Sequence, residues 1–376
     1  MEQARCRCWV EISKRRIAEN FAAVREVVGP AVEVMPVVKA DAYHHGAVEV
    51  SRVLASEGAR WLAVSNVEEG VELRDAGVGV RILVMAGLLG GEWETAAARD
   101  LTPVIHSLGE LALLERLALR TGRGLPYHLK IDTGLGRLGT RASSGEILSA
   151  IHGAPHTELE GLMTHFASAS DFKDLQTEQQ AIAFESMFMM LAGHGCQPIY
   201  LHTASSSAIA YGRRGAWKTM VRPGLSIYGY VSPAEGDPPE RLLAVGPALT
   251  WKAAVLDVKD VPRGAAIGYG ARFRAPRPMR IAVLGAGYAD GYPHQLGNRS
   301  RVILKGRHAA LLGAVSMDLL TVDATECPDL QPGDAATLLG REGEVAVDAT
   351  ELAHGAGTIA YTVLCGIAAR VKKFYV

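Results

Sequence analysis

Lys39 directly follows the apolar run Val34-Met35-Pro36-Val37-Val38, and Asp41, Tyr43, His44, His45 and Gly46 crowd in behind it. An amine at the mouth of an apolar strand loses hydration, which favours its neutral, nucleophilic form. That is the form needed to make a Schiff base with a carbonyl compound. Taken alone, Lys39 also fits a strand-end lysine reaching into water, so its neighbours in the fold must decide. Other polar groups follow short apolar runs in the same manner. Lys130, Asp132 and Arg137 lie in HLKIDTGLGRLG, and His165 ends GLMTHFA. His202 precedes Ser205, Ser206 and Ser207, and Arg222 precedes Gly224 and Leu225.

The elements that must position these groups read as a parallel sheet. Apolar runs at Val34–Val38, Trp61–Val64, Arg81–Met85, Thr102–Ile105, Tyr127–Ile131, Leu159–Met163, Ile199–Leu201 and Met220–Val221 alternate with helix-period segments such as Leu108–Leu119 and Thr177–Ala192. Eight such strands predict a (β/α)₈ barrel, with chemistry at the C-terminal ends of its strands. An open doubly wound sheet is disfavoured because no glycine fingerprint follows the first strand. The stripe Phe184, Met187, Phe188 and Met190 in the last helix is expected to pack in the core. Near Val231 the texture changes: SPAEGDPPE is linker-like, and short strands split by Gly and Pro follow Leu249. The expectation is an N-terminal strand over 1–10 joining the C-terminal domain, a barrel over 11–240, and an antiparallel β domain over 241–376.

Composition narrows the function. The 376 residues are 48% hydrophobic and 21% charged with a formal net charge of −1, which gives no electrostatic case for nucleic acid or an anionic membrane. No apolar stretch reaches the length of a transmembrane helix, and the first ten residues lack a signal-like core. Five scattered cysteines fit reduced thiols in a cytoplasmic protein, and no metal site is expected.

Serines after strand seven and Gly224 after strand eight occupy the place where barrels bind phosphate through amides, hydroxyls and a short helix. A strand-end lysine and a phosphate cradle on one rim imply pyridoxal 5'-phosphate (PLP). The glycines of DTGLGRLG and LGAGYADGY carry little nucleotide signal, since neither stands in a suitable strand–turn–helix context.

VVKADAYHHG, KIDTGLGRLG, GLMTHFA, VRPGLSIYG, IGYG, GYADGY, SMD and TIAYTVLCGI occur in that order. With these blocks the chain resembles the PLP-dependent alanine racemases over essentially its whole length. The resemblance implies interconversion of L- and D-alanine by two bases, Lys39 and Tyr269, with D-alanine destined for peptidoglycan. It places Arg222 at the pyridine nitrogen and Arg137 near the cofactor's phenolic oxygen and the substrate. His165 and His202 belong to the surrounding hydrogen-bond network. Lys130 matches a lysine often carbamylated in the family, which orients Arg137. Tyr43, Ser206, Gly224, Leu225 and Tyr361 hold the phosphate. Met317 meets the substrate carboxylate, Asp318 supports that loop, and Tyr288 stands at the entrance. Tyr269 and Met317 come from the neighbouring subunit, so a homodimer with shared sites is implied.

Ser205, Ala314 and His294 depart from the family's commoner Asn, Arg and Arg, so a racemase for serine, lysine or a broader range stays open. A barrel-type PLP decarboxylase fits less well, since it favours a carboxylate where this chain has Arg222. A non-catalytic PLP carrier would not need the segment holding Tyr269 and Met317.

Overall fold

The computed structural model describes residues 6–376, which form two compact units. One comprises Ile17–Ala42 and Ala47–Gly246; the other takes residues 6–16, Tyr43–Gly46 and Pro247–Val376. Strand β1 (Cys8–Ile12) thus belongs with the C-terminal unit, whereas β2 (Glu33–Val34) opens the other.

In the first unit β3 (Trp61–Val64), β4 (Arg81–Val84), β5 (Leu101–Ile105), β6 (Leu125–Lys130), β7 (Thr157–Met163) and β8 (Tyr200–His202) form a parallel sheet in that order. β2 pairs in parallel with β9 (Met220–Val221). The ring closes through a bridge from Val37 to Ala63 and another from Ser205 to Arg222. The expected first strand is shorter in its regular part because Pro36 has no N–H to donate. The chain nevertheless stays beside β9, with the Met35 and Val37 amides donating to the carbonyls of Val221 and Pro223.

The helices between strands announce their starts by side-chain caps. Asn66, Ser107 and Ser143 each accept from the amide three residues on, where the sequence places Glu69, Glu110 and Glu146. The helix Gln176–Ala192 departs from expectation. Phe184 is buried, but Met187 and Phe188 are only partly so and Met190 is 50% exposed. Its stripe is therefore fully buried only at Phe184, half-buried at Met187 and Phe188, and turned outward at Met190.

β7 carries a bulge that shapes the interior. Tyr127 pairs with Leu159 and His128 with Gly161, leaving Glu160 as the extra residue. A Cβ at Gly161 would lie 2.5 Å from the His128 ring, so only glycine leaves room for that imidazole.

The second unit is built on β10 (Leu249–Val261), whose alternating burial of Leu249, Trp251, Ala253 and Val255 marks one core face. It contains β11 (Ala266–Ile267), β12 (Phe273–Arg274), β13 (Met279–Leu284), β14 (Arg301–Leu304), β15 (Arg307–Ala310), β16 (Leu320–Asp323), β17 (Ala335–Glu342), β18 (Val345–Val347) and β19 (Lys372–Tyr375). The main path runs β15-β14-β17-β10-β1-β19, with β13 joining β10 to β16. All pairings are antiparallel except β1 with β19. No helix among the described residues is long and apolar enough to cross a membrane, and no disulfide links the five cysteines.

Gly161→Ala should lower stability by about 1–3 kcal/mol, the usual range for overpacking a tight core. Chemical denaturation checks this: His128→Ala in the same chain should recover part of the loss, and an unchanged single variant would contradict the packing argument.

Candidate active site

Lys39 is partly buried and begins an unusual turn in which Ala40, Asp41, Ala42, Tyr43 and His44 all have φ between 52° and 66°. Left-handed conformation costs non-glycine residues about 1–2 kcal/mol each, so other bonds must hold it. The Glu69 carboxylate accepts from the Ala40 amide at 2.7 Å, and Asp41 accepts from the Ala47 amide at 2.8 Å. Glu69 also accepts from the Ser65 amide, so one carboxylate ties the Lys39 turn to the end of β3. Nothing in the sequence marks Glu69 for this role.

Arg222 is the centre of the barrel's polar cluster. It is buried and donates to the carbonyls of His202 at 2.6 Å, Thr164 at 2.7 Å and Thr203 at 3.3 Å. It also donates to the ring nitrogen Nδ1 of His202 at 2.9 Å and of His165 at 3.3 Å. Burial lowers its pKa to about 9, which still leaves it cationic at neutral pH. His165 is pushed down to about 3, first by burial and then by the charges of Arg222, Lys130, Arg137 and Lys39. Four cations thus act on one imidazole and hold it neutral. Burial, then Arg137 and Arg222, lower the Lys130 amine to about 8, with Asp132 opposing. Asp132 itself is occupied by Arg141 and by the amides of Gly134 and Gly136.

Ser206 Oγ, buried, accepts from the amides of Gly224 at 3.0 Å and Ser226 at 3.2 Å, and lies 3.0 Å from Ser226 Oγ. Leu225 begins the short helical turn between these amides. The barrel unit therefore assembles Lys39, Lys130, Arg137, His165, His202 and Arg222 together with a hydroxyl-and-amide cradle. That excess of cations suits an anionic ligand.

The remaining candidates lie in the second unit. The rings of Tyr43 and Tyr361 are 5.8 Å apart. Tyr269 starts a short turn between β11 and β12 and is 76% exposed. A Cβ on Gly313 would lie 2.7 Å from the Ile267 carbonyl, so the chain before Tyr269 rests against 313–314. Met317 is 54% exposed and Tyr288 44%. The Tyr288 amide donates to Ser316 and the Ala289 amide to Met317, which joins the two loops. Gly287 allows this, since a Cβ there would lie 2.3 Å from both the Ser316 and Met317 carbonyls. Asp318 and Asp290 both accept from Arg370, at 2.7 and 2.8 Å. Tyr288 also packs edge-on to His294, one of the departures from the family pattern.

A parallel barrel with a lysine and a buried arginine at its strand ends, followed along the chain by an antiparallel β unit, is a two-part architecture. The family model of the alanine racemase N-terminal domain matches residues 12–233, and that of the C-terminal domain matches 248–375. The chain belongs to the alanine racemase family. It is 40% identical to an alanine racemase of Carboxydothermus hydrogenoformans, covering 98% of this chain and 99% of the relative. The solved alanine racemase of Streptomyces lavendulae superposes with a TM-score of 0.91 at 32% identity, covering 98% of this chain and 97% of that one. That of Bartonella henselae, described with covalently bound pyridoxal phosphate, gives 0.86 at 26% identity, covering 99% and 100%.

The depressed Lys130 pKa has a stability consequence. Burial disfavours the charged amine, so this group destabilises the fold below about pH 8, and the penalty fades as pH rises from about 8 towards the ordinary 10.5. In carbon-dioxide-free buffer, the stability of the unmodified protein relative to Lys130→Met should therefore rise between pH 8 and 10. Denaturant titrations at both pH values test this; a constant difference would contradict it.

Proposed function

We propose that the protein is a PLP-dependent alanine racemase that interconverts L- and D-alanine, with Lys39 and Tyr269 as its two bases. The observation that carries the reading is the buried Arg222 guanidinium, which donates to both His202 and His165 at the strand ends of the same barrel that bears Lys39. Bound PLP supplies an aldehyde to which the amino acid is joined and a conjugated ring that takes up the electron pair left when the α-hydrogen departs. Ser206, Gly224 and Leu225, with the Tyr43 and Tyr361 phenols, hold the phosphate, and Arg137 faces the phenolic oxygen. Arg222 would donate to the pyridine nitrogen and, being a cation without an acceptor, would leave that nitrogen unprotonated. A ring held in that way would be a weaker electron sink, which would favour rapid return of the proton over side reactions.

Racemisation needs a proton removed from one face of the α-carbon and returned to the other. Lys39 Nζ serves one face and Tyr269 Oη the other. A phenol with an ordinary pKa of about 10 is a poor base at neutral pH. With Nδ1 of His165 accepting from Arg222, its Nε2 carries the ring proton and can donate to the phenolic oxygen, stabilising phenolate. Tyr269 and Met317 reach the site from a second copy of the chain, and their exposure in the single chain is consistent with that role. Met317 offers its backbone amide to the substrate carboxylate, with Asp318 bracing the loop through Arg370. Tyr288 narrows the entrance. Carbamylation of Lys130, which requires a neutral amine, is favoured by its lowered pKa and gives Arg137 a negative partner. A cytoplasmic homodimer supplying D-alanine for peptidoglycan completes the reading.

Incubation with L-alanine in D₂O should abolish optical rotation and place deuterium at the α-carbon, without release of carbon dioxide or pyruvate. Tyr269→Phe should lower kcat by about 10²–10⁴, the usual contribution of one positioned acid or base. Carbon dioxide or pyruvate as the main product would overturn the assignment.

A further inference from the structure

From Arg222 and His202 a line of polar side chains runs into the barrel interior through His128, Glu160 and Arg81, three residues that the catalytic reading does not use. Arg222 Nη1 donates to His202 Nδ1 at 2.9 Å. His202 Nε2 lies 2.8 Å from His128 Nδ1. His128 Nε2 faces Glu160 Oε2 at 3.7 Å, too far for a hydrogen bond, and this buried nitrogen has no other hydrogen-bond partner. Arg81 grips Glu160 with both terminal nitrogens, and its guanidinium stacks 4.0 Å over Trp61. Trp61 in turn packs 5.3 Å from the His128 ring. Arg81 begins β4 and Arg222 follows β9, so the line crosses the barrel from one rim to the other.

The donors and acceptors allow only one direction. A guanidinium has no acceptor, so His202 Nδ1 must accept and its proton must sit on Nε2. That Nε2–H points at His128 Nδ1, which must also accept. The His128 proton is then on Nε2, directed at the Glu160 carboxylate. Both rings are buried and neutral, since burial dominates and pushes both pKa values down. Burial opposes ionisation of Glu160, yet its contacts with His128 and Arg81 hold its carboxyl below the ordinary range. No carboxylate touches Arg222 directly among the described residues; the anionic end of the line is Glu160.

We infer that Glu160, fixed by Arg81 at the far rim, is a positioning residue that acts through the polarised pair His128–His202 to orient and hold the Arg222 guanidinium. The bulge that adds Glu160 to β7 and the missing Cβ at Gly161 are the two local features that make room for the line. The functional part of this inference rests on the placement of Arg222 at the cofactor ring, but the direction of the protons does not.

The test is histidine-labelled ¹⁵N NMR of the full-length protein, with the two rings assigned through His128→Asn and His202→Asn. In the wild type both rings should carry their proton on Nε2 and none on Nδ1, with or without PLP. Glu160→Gln should shift the His202 resonances although the two side chains do not touch, and Glu160→Asp should return them towards wild type. In the PLP-loaded enzyme Glu160→Gln should lower kcat about two- to thirtyfold, in keeping with couplings of about 0.5–2 kcal/mol through side-chain networks, with KM for alanine within about twofold. A proton on Nδ1 of either wild-type ring, or a Glu160→Gln protein with unchanged His202 signals and unchanged kcat, overturns the inference. Should Glu160→Gln not fold, the wild-type tautomers decide alone. Failure to bind PLP would instead count against the functional reading and leave the ring protons to be judged separately.

Discussion

A buried guanidinium organises the barrel. Arg222 has been taken from water, which is costly for any cation, and the loss is offset by three backbone carbonyls and two imidazole nitrogens. Those five acceptors come from the ends of β7 and β8, so the strands and the side chain fix one another. The same cation forces its histidine neighbours to be neutral acceptors. It therefore sets where ring protons lie on both sides: towards Glu160 through His202, and outward from His165. A lysine there would lack the planar fork needed to reach all five acceptors.

Around this centre the chain accepts local strain to place groups precisely in space. Five successive left-handed residues follow Lys39 without a single glycine, held by Glu69 and Asp41. Such strain persists only where surrounding bonds over-determine it, and it concentrates at functional sites. In the second unit two glycines do comparable work by absence: Gly313 and Gly287 let backbone segments approach at distances a Cβ would forbid, which brings the loops of Tyr269, Tyr288 and Met317 into order.

Much of this was legible in the residues. Buried parallel strands read as continuous apolar runs, so Trp61–Val64 and Met220–Val221 coincide with the expected spans, and Lys39, His165, His202 and Arg222 stand out as polar groups ending such runs. The first strand's regular part is shorter than its apolar run because Pro36 interrupts the ladder. The left-handed turn was invisible, since Ala40-Asp41-Ala42 carries no glycine to announce it. The periodicity that points Met190 at the core reports an apolar face and not whether that face is covered. His128 and Glu160 were passed over because they lie inside strands, away from the rim. His128 shares a face with Lys130 two residues on, a period-two signal that could have found it. Glu160 had no such signal, because the bulge breaks the alternation that would reveal its direction.

The central claim is that a lysine of one chain and a tyrosine of another serve opposite faces of a single α-carbon. Hybrid dimers test it most directly. Lys39→Ala and Tyr269→Phe proteins, each with little activity of its own, would be mixed, dissociated and reassembled, and racemisation of alanine measured. Shared sites predict one intact site in each mixed dimer, and hence about one quarter of wild-type activity after random reassortment of a two-fold pair. Persistent inactivity, with mixed dimers demonstrably formed, would mean that both bases come from one chain and would contradict the account.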